Sequence, residues 1–177
     1  QACSAAVKMK KMEMEINKVF LEKQIAPSPL MTRIGINTGE MVVGNMGTAR
    51  KMDYTIMGNA VNLAARLEGV NKQYGTWILA SEYTISQTKN RFACRKLDPV
   101  RVVGINRPVQ LFELIDEKKE ASDKTLEIIE LSHSALEKFQ GQDWDGCLEL
   151  FNKVLSISPD DGPASTYIKR CADFKKN

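Results

Sequence analysis

The chain has 177 residues, 43% hydrophobic and 27% charged, with a net charge of +3, a balance that fits one globular domain with at most a small appendage. No apolar run approaches the roughly 18 residues of a membrane span, no signal-peptide pattern opens the chain, and the short basic clusters lack the aromatic companions of a nucleic-acid site. Charge is split: residues 1–116 carry 16 Lys and Arg against 10 Asp and Glu, and residues 117–177 carry 9 against 12. That asymmetry predicts two regions with different surfaces. Cys3, Cys94, Cys147 and Cys171 form no CxxC pair, and His133 is the single histidine, so they read as reduced thiols of a cytoplasmic protein. The first residue is Gln, which reads as a fragment or a processed product.

In chain order, residues 2–24 read as an amphipathic helix, with Met9, Met12, Ile16, Val19 and Phe20 at helical spacing and Pro27 and Pro29 beyond its end. Leu30–Asn37 and Glu40–Gly44 read as strands joined at Thr38-Gly39, a predicted hairpin. Asn45–Lys51 reads as a loop, Tyr54–Met57 as a short strand, and Asn59 to about Lys72 as a helix closed by Tyr74-Gly75. Trp77–Ala80 is a strand, and Ser81 caps a short helix. Phe92–Leu97, Val100–Val103 and Val109–Ile115 are predicted as three strands, separated by Asp98-Pro99 and Gly104–Pro108. Beyond a charged linker at 117–124 the pattern is purely helical: Leu126–Gln140, Trp144–Ile157, and a third helix started by Pro163. The class is therefore α+β with a helical extension.

The chemistry concentrates in Asp53–Glu68. Asn62 and Arg66 are four apart on the predicted helix and share a face. Thr55 lies just before the Gly58 turn that leads into it. A hydroxyl, a carboxamide and a guanidinium near the start of one helix suit a nucleotide with charged phosphates.

This stretch, with Arg33–Glu40 and Val43–Gly47 ahead of it, resembles the class III adenylate/guanylate cyclase catalytic domain, and residues 1–116 match roughly its C-terminal two-thirds. The resemblance implies a ferredoxin-like α+β fold, truncated at its N-terminus. It implies conversion of ATP to 3′,5′-cyclic AMP and pyrophosphate with two divalent ions, Mg²⁺ or Mn²⁺, at the interface of a homodimer, in a bacterial-type signalling protein. It gives Asn62 the ribose, Arg66 the phosphates in the transition state, and Thr55 the adenine edge. Adenylate cyclases carry Asp or Thr at that last position and guanylate cyclases typically Cys. Asn59 departs from the family's frequent Asp. The two metal-binding aspartates and the base-selecting lysine belong to earlier strands of the family's domain, so the chain alone is expected to be inactive. Asp53 and Asp98 do not stand in the expected contexts.

Residues 123–175 resemble a tetratricopeptide-type helical hairpin on Phe139, Gly141, Trp144, Cys147, Phe151, Val154, Leu155 and Pro159. Such units need neighbours to cover their apolar faces. This one is expected to pack on the cyclase-like region, on its copy in a dimer, or on a protein partner. His133 is expected at the surface or in helix packing. The competing expectation for the whole chain is a non-catalytic cyclase-like module for dimerisation or regulation.

Overall fold

A computed structural model describes residues 1–48, 50–101 and 107–176. Its elements are α1 (Ala2–Glu22), β1 (Ile34–Ile36), β2 (Val42–Thr48), β3 (Lys51–Met57), α2 (Asn59–Tyr74), β4 (Ile78–Ser81), α3 (Glu82–Ile85), β5 (Phe92–Val100), β6 (Val109–Glu117), α4 (Asp123–Gln140), α5 (Trp144–Ile157) and α6 (Gly162–Phe174). The class is α+β, with three helices following the last strand.

The predicted hairpin does not form. β1 instead pairs in parallel with β4, and the order of the four-stranded sheet is β1-β4-β6-β5. β2 pairs with β3 in a separate antiparallel ribbon that runs through the stretch expected to be a loop. The ribbon is almost wholly exposed, with Val42, Met52, Tyr54 and Met57 at its surface. Asp98-Pro99 does not break a strand either. It lies within β5, where the pairing with β6 shifts register between Lys96 and Pro99. Of the strand expected at Val100–Val103, Val100 ends β5 and Arg101 lies beyond it without strand structure, and the rest falls outside the described residues.

Period-two alternation sends neighbouring strand residues to opposite faces. Ile78, Phe92 and Leu114 pack with Cys3, Ala6 and Val7 of α1. Leu79, Leu97, Val109 and Leu111 join Leu63, Leu67 and Tyr74 of α2 on the other side. That second core continues without a break into the helical extension through Ala135, Leu136, Cys147, Phe151, Val154, Ala164, Tyr167 and Cys171. The apolar stripe expected for α1 is largely not buried: Met9 and Met12 are exposed, and the contacts come from the small residues near its start.

The last three helices follow the local sequence closely. Ser122, Asp143 and Asp161 each accept a backbone N–H in the first turn of the helix they cap, satisfying donors that have no partner within the helix. Pro163 sits in the first turn of α6.

Candidate active site

β3 runs straight into α2 through Gly58. Its φ of 146° is open to glycine and strained for other residues, and its carbonyl accepts from Val61 N and Asn62 N, both at 3.1 Å. Asn62 and Arg66 stand one turn apart on α2, and both are exposed. Thr55 is exposed on β3, opposite Gly44 of β2. None of the three makes a side-chain hydrogen bond or ion pair with another described residue. Their polar groups face solvent, free to meet a ligand. Asn62 and Arg66 are thus brought together by the helix, whereas Thr55 is linked to them through the chain at Gly58 and makes no described contact with either.

Side chains and backbone behind the site fix α2 on the sheet. A Cβ placed on Gly35 of β1 would lie 2.2 Å from Ala64 O and 2.5 Å from Glu68 N, so strand and helix touch backbone to backbone beneath Arg66. Asn71, fully buried, donates to Ile34 O and Leu67 O at 3.0 Å each and accepts from Thr76 Oγ1 at 2.9 Å. Asn37 donates to Ala60 O at 3.0 Å and accepts from Ser81 Oγ at 2.5 Å. Those glycine and asparagine positions lie in the Arg33–Glu40 segment and in α2 itself. Their role was not visible in the sequence, because it depends on a helix laid across a strand.

A cavity of about 450 Å³ opens between α2 and the end of β5, with Leu63, Arg66, Leu67, Val70, Val100 and Arg101 in its walls. Arg101 is a second guanidinium beside Arg66 that sequence reasoning did not single out; only the cavity brings the two together. A larger cavity, about 640 Å³, lies against α1, β6 and Trp77. It includes none of Thr55, Asn62 or Arg66, so its size gives it no claim on the chemistry.

The donor set does not fit the family's divalent ions. Among the described residues no group of three or more His, Cys, Asp or Glu side chains could hold a metal ion. Asp98 is committed to Tyr74 and Arg170, and Asp53 lies on the exposed ribbon opposite Met46. His133 is a packing residue: its Nε2 accepts from Lys96 N at 2.9 Å. All four cysteines are free, three of them buried and Cys94 half-buried.

Comparison with known proteins places the chain in a family. The adenylate and guanylate cyclase catalytic domain model matches residues 1–116. The terminal-differentiation-specific adenylate cyclase of Dictyostelium discoideum is 32% identical over 148 residues, which is 81% of this chain and 7% of that protein. Adenylate cyclase 1 of Rhizobium meliloti is 42% identical over 84 residues, 48% of this chain and 13% of its own length. Among solved structures, the adenylyl cyclase CyaB from P. aeruginosa is 36% identical with a TM-score of 0.55, covering 67% of this chain and 59% of that one. The guanylyl cyclase Cya2 is 29% identical with a TM-score of 0.53, over 68% and 59%. The chain therefore spans a small part of the length of these two curated relatives. No helix among the described residues is long and apolar enough to cross a membrane. On the match of 116 of its 177 residues, the chain belongs to the adenylate and guanylate cyclase catalytic-domain family.

Proposed function

We propose that this chain supplies the base- and phosphate-recognising half of an adenylate cyclase site. In the reaction, the ribose 3′-hydroxyl of ATP attacks the α-phosphate, forming 3′,5′-cyclic AMP and releasing pyrophosphate. Arg66 faces the phosphates, where a preorganised guanidinium stabilises charge that grows in the transition state. Asn62, one turn earlier, orients the ribose. Thr55 meets the adenine edge, since its hydroxyl both donates and accepts. The family's Mg²⁺ or Mn²⁺ ions find no fitting group of carboxylates among the described residues. A second half of the site, contributed in a dimer or by further sequence, has to carry them, and the chain alone is inactive.

The observation that carries this reading is the pairing of Asn62 and Arg66. They are exposed side by side and without described protein partners, on a helix whose backbone is locked to the sheet at Gly35. The tetratricopeptide-like helices serve this unit by closing its core; their inward faces are already filled. The test is cyclic AMP formation from ATP and Mn²⁺ by a form extended to hold the family's aspartates, beside its Arg66→Ala variant. Equal activity in both forms rejects the role of Arg66, and turnover of GTP above ATP rejects that of Thr55.

A further inference from the structure

The C-terminal end of α2 is held by α6, a helix outside the family match. Gly162, the first residue of α6, lies directly on the end of α2. A Cβ there would be 2.2 Å from Tyr74 O and 2.9 Å from Gly75 Cα. Gly75 is the left-handed residue that closes α2, with φ 66° and ψ 29°. Thr166 Oγ1, whose closer acceptor is Gly162 O at 2.9 Å, also lies 3.3 Å from Gln73 O, one of the end carbonyls of α2. Tyr74 Oη donates to Asp98 at 2.6 Å, and Arg170 of α6 pairs with the same carboxylate. The Arg170 guanidinium also lies over the Tyr74 ring, 5.3 Å from its centroid. Two helix ends of opposite partial charge thus meet, the start of α6 against the end of α2. The Dictyostelium relative matches 81% of this chain, more than residues 1–116 can supply, so its likeness extends past residue 116 into the helical extension.

We infer that α6 is a positioning element for the nucleotide site: Gly162 and the Tyr74–Asp98–Arg170 cluster seat α2 and thereby aim Arg66 and Asn62. The inference rests on the proposed role of Arg66. Its reach is short, because Arg66 and Tyr74 lie eight residues, about 12 Å, apart along one rigid helix. A change at Gly162 must move backbone, since the atoms it meets are main chain.

The test is a double-mutant cycle read by ATP binding to the full chain in calorimetry, with Arg66→Ala, Gly162→Ala and both together. Thermal melts run alongside to show that each variant is folded. Arg66→Ala is expected to weaken binding about tenfold, the loss of one charge-assisted contact. Gly162→Ala is expected to weaken it several-fold, and to add nothing in the Arg66→Ala background, because a mis-aimed side chain that is already absent has no further effect. A gentler pair, Arg170→Ala and Arg170→Lys, covers the case in which Gly162→Ala does not fold: the alanine weakens binding and the lysine restores part of it. Additive losses, or unchanged ATP binding in folded Gly162→Ala and Arg170→Ala variants, overturn the positioning role and leave that of Arg66 standing. Unchanged binding in Arg66→Ala itself removes the underlying reading, and the inference with it.

Discussion

Arg95 Nη1 lies 2.9 and 2.8 Å from the two carboxylate oxygens of Asp161, joining strand β5 to the cap of helix α6. The same guanidinium donates to Glu113 of β6 through Nε at 2.8 Å and Nη2 at 2.6 Å. Side-chain exposures of 4%, 14% and 7% for Arg95, Glu113 and Asp161 put the cluster in the interior. Burial pushes the Glu113 carboxyl up despite the Arg95 charge beside it. The cluster ties the helical extension to the sheet, so removing one member leaves buried charge uncompensated.

Asp161→Ala should therefore cost about 3 kcal/mol, the usual penalty for breaking a buried pair from one side. It also removes the α6 cap, through the lost hydrogen bond to Ala164 N. Urea unfolding measures the change, and a loss under about 0.5 kcal/mol would place the cluster in water rather than in the core.

His133 predicts a loss of stability in mild acid. Its neutral Nε2 accepts the Lys96 N–H at the β5 irregularity. Desolvation first, then the charges of Lys96 and Arg95, hold its pKa below the ordinary 6.5 against the pull of Glu137. The unfolded chain thus takes up a proton at higher pH than the folded one. The stabilisation is complete above pH 6.5 and is lost as pH falls through the lower, folded value. Melting temperature should drop between about pH 7 and pH 5, and less so in His133→Gln, which keeps an acceptor without a titrating group. An identical slope in the variant would assign the effect to the carboxylates.

Arg66→Ala separates function from folding. With no described partner for the guanidinium, unfolding free energy should stay within about 0.5 kcal/mol of wild type. In the extended, active form kcat should fall about 100-fold, the scale of losing one preorganised charge-stabilising group. A destabilised variant would make Arg66 a structural residue.

Gly35→Ala should do the opposite, damaging the fold first. Its Cβ would meet Ala64 O and Glu68 N of α2, and forced backbone shifts of this kind cost roughly 1–3 kcal/mol. A variant as stable as wild type would show that β1 and α2 are not in backbone contact.

The thiols should be unreactive in the native state. Cys147 and Cys171 are fully buried with Sγ atoms 3.3 Å apart. Burial raises the pKa of both, raises that of Cys3, and pushes Cys94 up to about 12. Alkylation proceeds through the thiolate, so iodoacetamide near pH 8 should label the native chain poorly and all four cysteines once it is unfolded. Rapid native labelling of Cys147 would show that α5 and α6 separate readily.

The helices were legible because their signals are local. α5 begins and ends where its apolar spacing and Pro159 place it, and Gly75 closes α2 as a glycine after a helix should. The Asn62–Arg66 face follows from helical period alone. Strand pairing was not legible, since it joins residues far apart in the chain: Ile34 finds Ile78, not the neighbouring Val42. Asp98-Pro99 reads as a break, yet the register shift in β5 accommodates it. The burial of Arg95 was not legible either, since its partners Glu113 and Asp161 lie 18 and 66 residues later in the chain.

Glycine at two points of the α2 seat, its middle and its C-terminal end, gives the helix a discrete kind of fit. Where Gly35 and Gly162 meet it, the contact is main chain on main chain, with no long side chain to flex and absorb a small displacement. Close-packed surfaces of this kind change by steps rather than by degrees. The helix is either seated, with both contacts engaged, or released, and the exposed Asn62–Arg66 face inherits that all-or-none character. Small drifts in the surrounding loops should leave its aim untouched, while the loss of one glycine should cost the whole register at once.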